Sequence, residues 1–75
     1  MTEKEFVARL IARGFRRPAS YSPHAYLKRS DGTEVLHTSD AALVVGRSEW
    51  LPHREVLVIL GIPLVDDLWS GGGGI

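Results

Sequence analysis

The stretch that decides the fold is YSPHAYLKRSDGTEVLHTSD, residues 21–40. Asp31-Gly32 at its middle signals a tight hairpin, because a two-residue primed turn needs positive φ at both central positions. Such a loop sets Arg29 opposite Glu34, Lys28 opposite Val35, Leu27 opposite Leu36 and Tyr26 opposite His37. Side chains alternate along a strand, so Ala25, Leu27 and Leu36 share one face, while His24, Tyr26, Lys28 and His37 share the other. The leucine pair marks the first set as the core side. Both histidines are therefore expected to face solvent.

Upstream, Thr2-x-x-Glu5 is a capping box, able to satisfy the free N–H groups of a first helical turn. Phe6, Val7, Leu10 and Ile11 follow as an apolar stripe at helical spacing, and Glu5, Arg9 and Arg13 line another side at i, i+4 steps. Gly14 stands where a closing glycine belongs, so the pattern predicts a helix over 3–13. Phe15 to Ser20 reads as a short strand that Pro18 confines to an edge or bulge.

Downstream, AALVVGRSEW (41–50) fits either a short strand or a loop held by apolar anchors. In LPHREVLVILGI (51–62), Pro52 suits a first helical turn, Glu55 favours an N-terminal end and Gly61 would close the segment. The apolar VLVIL also suits a buried strand, and periodicity alone does not separate the two. Helix over 52–60 is the expectation. PLVDDLW (63–69) reads as one more helical turn, and SGGGG as part of a flexible tail. Trp50 and Trp69 are expected to plug the core.

Seventy-five residues make one domain, near the lower size limit for a single core. The chain has no Cys, hence no disulfide framework and no thiolate metal cluster, which suits a reducing cytosol. No run approaches a membrane span, and MTEKEFVARL lacks the basic-then-apolar layout of a secretory signal. A cytoplasmic protein without membrane attachment is expected. The reading is α+β: a single αβββα domain over 1–69, its helices on one face of an antiparallel three-stranded sheet, with a Gly-rich tail at 70–75.

Net charge is zero but unevenly placed. Residues 1–30 carry seven Lys and Arg against Glu3 and Glu5, +7 − 2 = +5, while residues 31–75 carry Arg47 and Arg54 against seven acids, +2 − 7 = −5. Such a split gives one basic and one acidic face, unless folding brings the opposite charges together.

The order helix, three short strands, helix resembles the double-stranded-RNA-binding-like fold of HicA toxins, the ribonuclease half of a bacterial toxin–antitoxin pair. EFVARLIARGF is similar to that family's opening helix, which ends in Gly plus an aromatic. The family's Gly-Ser-His falls eight to ten residues beyond that glycine, where this chain has Ser22-Pro23-His24. The glycine of the family's Asp-Gly turn falls at Gly32, and LPHREVLVILGI is similar to its closing helix. The resemblance covers roughly residues 5–69. It implies a metal-independent mRNA endoribonuclease with His24 in the catalytic place and an antitoxin as protein partner. Members are usually basic, and Gly-Ser usually precedes the histidine; this chain departs in both respects.

RNA cleavage near neutral pH needs a base for the 2′-hydroxyl, an acid for the leaving oxygen and a cation for the phosphate. Histidine suits the first two roles. On the predicted hairpin His24 and His37 are diagonal neighbours, roughly 5–8 Å apart. His24 is then the candidate acid or base, with His37 its partner. Lys28, Arg13, Arg16 and Arg17 are candidates to hold RNA phosphate, and Tyr26 to stack on a base or orient an imidazole. The plain readings are that these histidines are polar surface and that the arginines solvate a helix end. His53 is expected on the surface, and no cofactor or metal is called for.

Two other functions fit the same sequence. One is a non-cleaving RNA binder of this fold. The other is a small phage- or plasmid-type regulator docking on a larger enzyme, supported by the balanced charge and by the apolar AALVVG and PLVDDLW. A homodimer could form if residues 41–46 made an edge strand.

Overall fold

Helix α1 (Glu3–Ala12) begins where Thr2 and Glu5 predict it. The Thr2 hydroxyl accepts from the Glu5 N–H at 3.1 Å, and the Glu5 carboxylate accepts from the Thr2 N–H at 2.8 Å. Its buried positions are Phe6 and Leu10. Gly14 closes it at φ +96°, a conformation that strains any residue with a side chain. The Gly14 N–H donates to Ile11 O and the Phe15 N–H to Leu10 O, both at 3.1 Å. This paired closure delivers Phe15 into the same core as Leu10.

The computed structural model describes residues 1–18 and 25–64. Expectations that fall on 19–24 and 65–75, among them those for His24, Trp69 and the Gly-rich tail, lie outside the described residues. Of the strand expected after Gly14, the described part makes one antiparallel bridge. Arg16 N–H donates to Lys28 O at 2.8 Å, and Lys28 N–H donates to Arg16 O at 2.9 Å.

The central hairpin forms, but one residue out of the predicted register. Strand β1 (Tyr26–Lys28) pairs with β2 (Glu34–His37) as Tyr26 with Leu36, Leu27 with Val35 and Lys28 with Glu34. The loop is Ser30-Asp31-Gly32: the Gly32 N–H donates to Arg29 O at 2.9 Å and the Arg29 N–H to Thr33 O at 2.8 Å. Gly32 alone in this loop takes positive φ, at +97°. Asp31 avoids the left-handed conformation that a two-residue turn would impose. Its carboxylate instead accepts from the Thr33 N–H and the Arg29 Nε, each at 3.0 Å. The result is a type I turn completed by a glycine bulge. A slip of one residue turns every side chain of a strand over. Val35 and His37 therefore face the core, and Leu36, expected inside, joins Tyr26 on the opposite face.

Strands β3 (Ala41–Val44) and β4 (Leu51–Pro52) complete a four-stranded antiparallel sheet in the order β1-β2-β3-β4, one strand more than expected. Ala41 and Ala42 of β3 pair with Pro52 and Leu51 of β4, a pairing that does not extend to Leu43 and Val44. Trp50, expected in the core, is 49% exposed. Helix α2 (His53–Ile59) starts directly after Pro52 and closes with Gly61 N–H to Val58 O at 3.0 Å and Ile62 N–H to Leu57 O at 2.8 Å. One core joins Phe6, Leu10 and Phe15 to Leu27, Val35 and Ala42, and to Val56, Leu57 and Ile62. Both helices thus cover the same sheet face, and the α+β class holds.

Candidate functional site

The Arg16–Lys28 bridge sets two exposed cations side by side, since directly opposed residues project to the same face. The Arg16 Nη1 donates to Ile11 O at 2.9 Å and to Phe15 O at 2.6 Å, so the guanidinium sits over the C-terminal carbonyls of α1. A cation is favoured there, and its position is held by the backbone. Arg17 is exposed and makes no hydrogen bond or ion pair with the described residues. Arg13 is exposed and engaged.

Folding cancels part of the charge split seen in the sequence. Arg29 pairs with Asp31 at 2.9 Å, and its guanidinium lies 4.7 Å from the Phe15 ring centroid. Lys28 stands opposite Glu34 in the register, but the Glu34 carboxylate is bonded elsewhere. The Tyr26 hydroxyl donates to the Glu34 carboxylate, and that bond pushes the phenol pKa up. Tyr26 is thus tied to its neighbour strand and half-buried. The cations left to meet a ligand at this end of the sheet are Arg16, Arg17 and Lys28.

His37 is not on the solvent side. Its ring is 5% exposed, and Nδ1 lies 2.6 Å from the Glu3 carboxylate at the start of α1. A carboxylate only accepts, so Nδ1 carries the proton. Nε2 is buried with no partner. The expected arrangement, two imidazoles flanking one phosphodiester, loses its geometric basis for His37. The reason is the three-residue loop, which moves position 37 to core parity. His24 lies outside the described residues.

His53, expected on the surface, is 4% exposed. Its ring stacks on Phe6 with centroids 4.5 Å apart and planes at 15°, while His37 meets the same phenyl edge-on at 6.2 Å. Nε2 of His53 donates to Thr38 O at 2.9 Å. Thr38 makes this acceptor available: its hydroxyl takes the Ala41 N–H at 3.1 Å, which leaves the carbonyl free for the imidazole. The grouping of Glu3, Phe6, His37, Thr38 and His53 was missed from the sequence. Its one sequence signal is parity: His37 lies two residues after Val35 on one strand, so a three-residue loop that turns Val35 inward turns His37 inward too. Among the described residues, no group of three or more His, Asp or Glu side chains could hold a metal ion. No helix there is long and apolar enough to cross a membrane.

Comparison of the chain with protein-family models, with curated proteins and with solved structures gave no match. The functional reading therefore stands on the residues and their geometry.

Proposed function

We propose that this chain is a small cytoplasmic RNA-binding protein with HicA-type endoribonuclease activity, His24 being its catalytic histidine. The observation that carries the RNA-binding part is the Arg16–Lys28 bridge, with Arg17 beside it. The Arg16 guanidinium is held by backbone carbonyls, so less side-chain freedom is lost when it meets a phosphate. The catalytic role of His24 rests on the resemblance, whose helix–strands–helix arrangement the chain keeps with one strand more, in the order α1-β1-β2-β3-β4-α2. His37 has no place in this reading, since its ring is enclosed. Tyr26 is left to contact a base through its ring alone. The protein partner is an antitoxin-like chain that covers the cationic edge.

The test is expression of wild type beside His24→Ala, with growth and RNA integrity followed together. Arrest and RNA loss in wild type alone support the enzyme. Equal RNA loss in both removes it. A second reading, a regulator docking on a larger protein, is favoured by the exposure of Trp50 at 49% and of Val58 at 63%. It is supported by co-purification of a stoichiometric partner with no RNA loss.

A further inference from the structure

Between the β2–β3 turn and the start of α2 lies an open cleft of about 250 Å³, lined by Met1, Ser39, Asp40, Pro52, His53 and Arg54. Three of these residues carry chemistry that the fold leaves unused. Arg54 is exposed and makes no hydrogen bond or ion pair with the described residues. The Asp40 carboxylate has no partner among them, only its backbone N–H being engaged. His53 is buried, yet it is one of the residues that line the cleft.

The orientation of that ring is fixed. Nε2 faces a carbonyl, which only accepts, so the neutral ring carries its proton there and leaves Nδ1 as an acceptor. Nδ1 has no hydrogen bond to any described residue. Stacking on Phe6 holds the plane. The cleft is therefore lined by a guanidinium and a carboxylate that do not meet each other, and by a histidine whose Nδ1 has no bonded partner among the described residues. Such a wall is complementary to a ligand with an anionic end and hydroxyl donors.

We propose that this cleft binds a ribose phosphate, with Arg54 on the phosphate and Asp40 and His53 Nδ1 accepting from ribose hydroxyls. Guanidinium is suited to phosphate by its forked donors. At about 250 Å³ the open cleft is of a size to seat a sugar and a phosphate. The choice of ribose over another polyol rests on the RNA-binding reading above.

The experiment titrates the full isotope-labelled chain with 5′-AMP, 2′-deoxy-AMP, inorganic phosphate and a short single-stranded RNA, following the imidazole resonances. AMP should move the His53 side-chain signals more than those of His37. It should bind roughly tenfold more weakly to Arg54→Ala and to Asp40→Asn, a loss of about 1.4 kcal/mol each. Deoxy-AMP should bind more weakly than AMP, and phosphate more weakly still. AMP that leaves the His53 signals in place at millimolar concentration, or that binds both variants as tightly as wild type, overturns the proposal. Displacement of AMP by RNA assigns the sugar to a strand, and lack of displacement assigns it to a free nucleotide; both keep the site. Arg17→Ala separates this proposal from the RNA reading. Failure of the cleft leaves salt-dependent RNA binding through Arg17 intact, while failure of the RNA reading leaves the AMP titration unchanged.

Discussion

The imidazole of His37 and the carboxylate of Glu3 meet at 2.6 Å, joining the inner face of the sheet to the first turn of α1. Truncating Glu3 strands a buried donor. Glu3→Ala should therefore cost about 1–3 kcal/mol. The low end is expected because the Glu3 side chain is 35% exposed and water can enter its place. Glu3→Gln, which keeps a carbonyl acceptor, should cost less. The urea midpoint at constant m-value reads both, and equal stability of all three proteins would refute the buried-donor account.

Gly32 holds the hairpin register through its φ of +97°. Gly32→Ala places a side chain in the left-handed region, where open space does not relieve the strain, and should cost about 1–2 kcal/mol. Thermal melting checks this. An unchanged melting temperature would mean that the loop does not turn as described.

Acid should loosen the same loop. Asp31 is held well below the ordinary carboxylate range, first by the Arg29 guanidinium and then by the Thr33 N–H. A group whose folded pKa is depressed contributes stability above its unfolded value, about 3.9, and loses that contribution as pH falls towards the folded value. Between about pH 5 and pH 2, wild type should lose stability more steeply than Asp31→Asn. Parallel profiles would count against the interaction. Alkali acts on Tyr26 in the opposite sense: its raised pKa, caused by the bond to Glu34, favours the fold until pH rises through it.

RNA affinity should fall with salt, and Arg17→Ala and Lys28→Ala should each flatten the log–log slope by about 0.7. Lys4→Ala, at the other end of α1, is the control and should leave the slope alone. A control that flattens as much as the other two would show that charge, not placement, governs binding.

Local chemistry made most of the fold legible. Thr2 and Glu5 announce α1, Gly14 and Gly61 close the helices, and Asp31-Gly32 marks the turn. The loop length was not legible, because it depends on Asp31 finding Arg29 and Thr33 as partners. That single residue decides the side to which His37 points. Strand β4 escaped detection because two residues have no period, and Trp50 was misplaced for the same reason. His53 reads as a helix-start polar residue; only the turn that exposes the Thr38 carbonyl explains its burial. Of the candidate site, the cationic edge was legible in part, since Arg16 and Lys28 are far apart in sequence and meet through one bridge.

The brevity of β4 has a colloidal consequence. After Leu51 the chain reaches Pro52, which has no N–H to offer, and turns at once into α2. A neighbouring molecule that approaches this margin finds no row of donors on which to stack. Pro52→Val should restore a donor and make concentrated solutions more prone to thioflavin-positive fibrils.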